Sequence, residues 1–239
     1  ASPDDVKMLM IDTKGISLTI YNGIPHMLIP VVTDARKSLG ALNWCLAEIQ
    51  ERYRKFAEYG ARDLKGYNNR CNAGGKLPQI LVIVDDLSDL MMICKSEAEE
   101  SIAQIAQSSR VVGIHLVIST QRPSTDVVAG LIKSNIPSRI AFSVFSAIDS
   151  KVILEEKGAE ELFGNGDMFF KPQGCKNLIR IQGTYVTDKE ISDVVEFLRA
   201  QTEHMEECQE KKIETFKIKD SGDRDILFKE SGKFCYKTR

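Results

Sequence analysis

Asp85 and Asp86 are the two residues of this chain whose placement could do chemistry. They close the run Gln79-Ile80-Leu81-Val82-Ile83-Val84, whose five consecutive apolar residues are rich in β-branched types. Such a run fits a strand buried on both faces, in the centre of a parallel sheet covered by helices. Ligands of an open α/β sheet sit outside the carboxyl ends of its strands, so both acids would face that crevice. There one acid can hold Mg²⁺ on a nucleotide and the second can orient a water. By itself the pattern also fits a solvated acid pair at a strand end.

The elements that must position these acids follow from periodicity. Val6 to Asp12 reads as a first strand, itself ending in an acid. Asp34 can cap a helix on which Leu42, Leu46, Ile49, Tyr53 and Phe56 recur at helical spacing, with Gly60 placed to stop it. Tyr67 to Lys76 is a polar loop leading into the Asp85 strand. Ser96-Glu97-Ala98-Glu99 has the form of a capping box opening a helix toward Arg110. Ile114 to Thr120 and Arg139 to Val144 read as further strands, and Asp149 through Glu156 as a helix. Gly164-Asn165-Gly166-Asp167 is a turn, Asn177 to Val186 an extended stretch, and Asp188 to Arg199 a helix capped by Asp188. This alternation predicts an α/β fold with a mostly parallel sheet and helices on both faces.

Composition sets the outer bounds. A chain of 239 residues buries a full core, and its net charge of −2 provides no global basic field for nucleic acid. Any such contact must come from a local patch. The six cysteines are scattered, with no C-x-x-C pair, which predicts reduced thiols in a cytosolic protein and no zinc site. No apolar run approaches the roughly 20 residues that cross a bilayer, so membrane association would need residues outside this chain. Residues 1–200 read as one domain. In 201–239, 18 of 39 residues are charged, which predicts a linker or tail.

Several segments together turn the strand signal into a specific one. They are Met10-Ile11-Asp12-Thr13-Lys14, Gly66-Tyr67-Asn68, Gln107-Ser108-Ser109-Arg110-Val111-Val112-Gly113-Ile114-His115-Leu116, Ser119-Thr120-Gln121-Arg122-Pro123-Ser124-Thr125-Asp126-Val127, Leu131-Ile132-Lys133-Ser134-Asn135-Ile136-Pro137-Ser138-Arg139-Ile140-Ala141-Phe142 and Gly164-Asn165-Gly166-Asp167-Met168. In this order, over roughly residues 1–200, the chain resembles the motor domain of the FtsK/SpoIIIE family of DNA translocases. The resemblance implies a RecA-like P-loop NTPase fold using ATP and Mg²⁺. It also implies a ring of subunits, expected as a hexamer, that pumps double-stranded DNA through its centre in chromosome partition and cell division. The expected setting is the cytoplasm, with any membrane anchor outside this chain.

By the same resemblance, Asp85 is the Mg²⁺-organising acid and Asp86 stands where the family has Glu to polarise the attacking water. Asp is one methylene shorter, and a displacement of about 1 Å can cost on the order of 100-fold in rate. Gln121 matches the γ-phosphate sensor, since its amide can both donate and accept; a turn-forming Gln before Arg-Pro is the plain alternative. Gly166 and Asp167 join Asp85 and Gln121 as expected nucleotide contacts. Arg110 matches a finger reaching the neighbouring subunit's nucleotide, although a cation at a helix end is favourable anyway. The family's second trans cation, a lysine, is replaced here by Ala147. Arg122 and Lys133 flank the Pro123–Gly130 stretch, a pore loop whose cations would touch DNA phosphates without reading bases; the alternative is ordinary solvated charge. Asp12 and Lys14 match an Asp-Pro-Lys segment with Thr13 in place of proline, and could equally form an ion pair at a strand end.

The phosphate-cradling loop G-x-x-x-x-G-K-[ST] is absent from the sequence, and the resemblance places it upstream of Ala1. Asp225 to Lys233 faintly matches the opening of the family's winged-helix module. Two alternatives stay open beside the motor: a non-hydrolysing ring or docking relative, and a conjugation or secretion ATPase of the same superfamily.

Overall fold

The structure is a computed structural model that describes residues 1–71 and 75–201. The charged 202–239 segment, with its expected linker or winged-helix start, lies outside the described residues.

Three parallel strands form the first sheet in the order β1 (Val6–Asp12), β2 (Gln79–Asp85), β3 (Ile114–Ile118). Val6 pairs with Gln79 and Asp12 with Asp85, so the two acidic strand ends lie side by side. The apolar run therefore sits in the middle strand, as expected. Alternation along the strands divides the core. Leu9, Ile11, Ile80, Val82, Val84 and Ile114 face one side and pack against α1 (Ala35–Glu58) and α3 (Leu87–Ser108). Met8, Met10 and Ile83 face the other side, under Ile24, Met27, Val31 and α6 (Asp188–Ala200) through Ile191 and Val195. Helices thus cover both faces, as a parallel sheet requires.

Asp34 caps α1 by accepting from the Lys37 amide, and Gly60 follows its end at φ 61°. The short α2 (Leu64–Arg70) is capped by Asp63. Asn68 then accepts from the Leu77 amide and donates to the Leu77 carbonyl, closing the base of the polar loop.

Downstream, the remaining strands form a second, antiparallel sheet that the alternation of elements did not announce. After α4 (Gly130–Asn135), β4 (Arg139–Phe142) pairs antiparallel with β5 (Asp167–Lys171), which pairs antiparallel with β6 (Ile179–Gln182). β5 returns to β6 over residues 172–178, and α5 (Ala147–Leu154) packs back on β4. A parallel crossover needs a dozen or more residues, and β5 to β6 has too few. Two helix starts are also corrected. The helix expected from Ser96 begins at Leu87, with a break at Cys94 (φ −138°, ψ 48°) two residues before the capping-box sequence. At α6 the cap is Thr187, in a reciprocal capping box with Glu190, and Asp188 is the first helical residue. Among the described residues Cys45, Cys71, Cys94 and Cys175 are free thiols. No described helix is long and apolar enough to cross a membrane.

Candidate active site

The acidic edge is built where β1, β2 and β3 end together. Ser119, one residue past β3, ties that edge. Its amide donates to the Val84 carbonyl and its carbonyl accepts from the Leu87 amide. The Ser119 hydroxyl donates to Asp85 Oδ1 at 2.7 Å and faces the Asp86 amide at 3.4 Å. Asp85 is half-buried, and among the described residues its second oxygen takes no hydrogen bond.

Asp86 is buried at 4% exposure and holds φ 48°, ψ 72°, a left-handed conformation that is unusual for a non-glycine residue. Such a conformation costs about 1–2 kcal/mol and persists where its surroundings impose it. Here the chain must turn at once from β2 into α3, and Asp86 makes the corner. One carboxylate oxygen accepts from Ser88 Oγ at 2.5 Å and the other meets Lys14 Nζ at 2.5 Å. Burial pushes the Asp86 carboxyl up, but Lys14, Ser88 and the Gln121 amide outweigh it and hold it below the ordinary carboxylate range.

Lys14 corrects the expectation of an Asp12–Lys14 pair. Lys14 pairs with Asp86 and, at 3.6 Å, with Asp89. Asp12 is buried and instead accepts four backbone amides, from Lys14, Gly15, Ser17 and Leu18. It shapes the loop that delivers Lys14. Nothing in the spacing of Lys14 and Asp86, 72 residues apart, announces this ion pair. Only Ser88, two residues from Asp86, lay close enough in sequence to be expected beside it; Ser119 reaches Asp85 from 34 residues away.

Of the predicted residues, Asp85, Asp86 and Gln121 come together, with the Gln121 backbone N–H facing the Asp86 carboxylate. Gln121 and Arg122 are exposed and open directly into the Pro123–Gly130 stretch; Lys133 is half-buried on α4. Lys95, just past the α3 break, reaches Asp126 of that stretch at 3.7 Å. Arg110 does not end a helix as expected. The helix stops at Ser108 and Arg110 stands exposed in the turn before β3, at the opposite edge of the sheet from Asp85. Gly166 and Asp167 lie in the second sheet. Asp167 accepts both Arg180 bonds, at 2.9 and 2.7 Å, and the Phe163 amide, which hold its carboxyl down at about 2. Gly166 packs against the Gly183 backbone, where a side chain would collide. Ala147 is the first residue of α5.

A middle strand ending in paired acids, a neighbouring strand supplying the polar residue beside them, and helices on both faces define a nucleotide-hydrolase type of α/β core. The description of the FtsK/SpoIIIE family matches residues 1–125. The chain is 48% identical over 244 residues to the DNA translocase FtsK of Clostridium acetobutylicum, using all of this chain and 32% of the relative. It is 50% identical over 204 residues to the DNA translocase SftA of Bacillus subtilis, covering 84% of this chain and 21% of that protein. The chain belongs to the FtsK/SpoIIIE family, and it spans about a third or less of the length of these relatives.

Among solved structures it is similar to the conjugation coupling protein TcpA in its monomer form with ATPγS, at TM-score 0.71 and 26% identity, covering 82% of this chain and 58% of that one. The cytoplasmic domain of the type VII secretion ATPase EccC from Thermomonospora curvata matches at TM-score 0.69 and 21% identity, over 82% of this chain and 24% of that one. The fold is the RecA-like P-loop ATPase fold, with part of the sheet present.

Proposed function

We propose that this chain is part of an ATP-driven motor that moves along double-stranded DNA, with hydrolysis at the Asp85 edge and DNA held by the loop after Gln121. One observation carries the reading. The residue beside the acids, Gln121, is covalently adjacent to Arg122, which opens the basic-flanked loop. A motor must pass a change at phosphate to a change at DNA, and a single peptide bond separates the two here. The relatives named as DNA translocases support it.

In this reading Asp85 would help hold Mg²⁺ through its free oxygen. Phosphates and water would complete the ion. When bound, ATP with Mg²⁺ supplies the phosphoryl group to be transferred. Asp86 would orient the attacking water once Lys14 yields an oxygen to it, and the Gln121 amide would bond water and phosphate oxygen together. Arg110 would act on the nucleotide of an adjacent copy in a ring, expected as a hexamer. Arg122 and Lys133 would touch DNA phosphates. Because Asp167 is already spent on Arg180, any nucleotide contact there would fall to the Gly164–Gly166 backbone. The setting would be the cytoplasm, in chromosome partition and cell division.

A second reading, a retired ATPase kept for assembly, is favoured by the shortened acid closed on Lys14 and by Ala147. Asp86→Glu in the full-length protein separates the two. We expect a faster DNA-stimulated ATPase; a rate still at background with nucleotide bound would establish the retired form.

A further inference from the structure

Arg52 is the largest fully buried side chain among the described residues, at 1% exposure, and no step at the acidic edge uses it. Its guanidinium donates Nε to Glu48 at 2.8 Å, and Nη1 to the carbonyls of Pro78 and Val112, each at 2.8 Å. Its neighbour Tyr53 donates its hydroxyl to the Ser108 carbonyl at 2.9 Å. The two held carbonyls on this segment, Ser108 and Val112, lie two residues before and two residues after Arg110. Between them the Leu64 amide donates to the Val111 carbonyl. Gly113, at φ +75°, carries Leu64 where a β-carbon would stand. The turn is thus fixed at three carbonyls, while the Arg110 side chain stays exposed at a cleft of about 930 Å³ shared with Lys65, Asn68 and His115.

Satisfying orphaned carbonyls explains why some donor is needed. It does not explain why two adjacent α1 residues grip the carbonyls that straddle one exposed arginine. We infer that Arg52 and Tyr53 form a clamp that pre-sets Arg110 for an anionic group on another copy of the chain; this rests on the proposed trans role of Arg110. Its own Asp85 is out of reach. Seven residues of β2 at about 3.3 Å each put some 20 Å between the two sheet edges. A cation delivered across an interface is effective only when its base does not move, since a displacement of about 1 Å can cost on the order of 100-fold in rate. Arg52 and Tyr53 are positioning residues, with Arg110 the group that meets phosphate.

The test uses full-length protein with DNA-stimulated ATPase, fluorescent-nucleotide binding and thermal melting. Arg52→Lys, whose ammonium is a single point donor without the planar fork that aims Nε and Nη1 separately, should lower kcat at least 10-fold with nucleotide affinity unchanged. Tyr53→Phe, which removes one hydroxyl from a 38% exposed side chain, should lower kcat several-fold with no change in melting. Mixing either variant with Asp85→Ala subunits should restore turnover, because the second subunit brings an intact finger to the first subunit's intact site. A variant that loses nucleotide binding and stays dead in every mixture acts through folding, and overturns the clamp. Parental kcat in Tyr53→Phe overturns it too, provided Arg110→Ala is inactive and complemented. If Arg110→Ala itself is not complemented by Asp85→Ala, the trans role falls, and the clamp with it.

Discussion

At the scale of single residues, the acidic edge is a charge problem balanced by the chain's own side chains. Asp86 is buried, strained and fully engaged by Ser88 and Lys14. Removing one partner of a buried charge leaves the other uncompensated, and is costlier than the pair is worth. Lys14→Ala should therefore lower the melting temperature, whereas Asp86→Asn, which keeps the Ser88 bond, should be milder; differential scanning calorimetry of both variants checks the order. Cys45 shows burial as the dominant cause, with the Glu48 charge adding to it. Its thiol is fully enclosed and pushed up to about 12, so almost no thiolate exists at pH 8. A thiolate-selective alkylating reagent should label exposed Cys175 in native protein and reach Cys45 only after denaturation, as peptide mass spectrometry will report.

At the scale of elements, turns carry the consequences. Gly113 needs a positive φ and has Leu64 packed over its α-carbon. Gly113→Ala should cost roughly 2–4 kcal/mol, from the left-handed conformation together with overpacking, measurable by denaturant unfolding. In the second sheet, the Asp167–Arg180 pair fastens the Gly164–Gly166 turn to β6. Asp167 is held at about 2, below the ordinary 3.8, chiefly by Arg180. Its folded-state value is depressed, so the stabilisation is complete above about pH 4–5 and is lost as pH falls toward 2. Arg180→Ala should melt earlier than the parent at pH 7, with the gap closing by about pH 2.

At the scale of the whole molecule, the two ends of the parallel sheet carry different chemistry. The acids, Gln121 and the basic-flanked loop share one edge, and Arg110 occupies the other. A ring in which each Arg110 edge meets the next acidic edge would place one composite site at every interface. Double-stranded DNA bound through phosphates releases counterions. The slope of log affinity against log salt should therefore fall by about 0.9 for each of Arg122→Ala and Lys133→Ala in the full-length protein. Titrations across a salt series measure it, and unchanged slopes would remove both residues from the DNA surface.

The sequence by itself determined the middle strand, the acids at its end, the α1 helix with its cap and stop, and the family. These rest on local patterns: an apolar run, a helical period, and motif spacing in continuous order. The cap of α6 was missed by one residue and the start of α3 by nine, because several polar residues there could each start a helix. Only the tertiary structure decided that the downstream strands form a separate antiparallel sheet. It alone placed Lys14 on Asp86 across 72 residues, spent Asp167 on Arg180, and brought Arg52 and Tyr53 to either side of Arg110. The reason is physical. Periodicity reports which face of an element is buried, while ion pairs and carbonyl clamps depend on which distant backbone that face meets, and packing alone sets that.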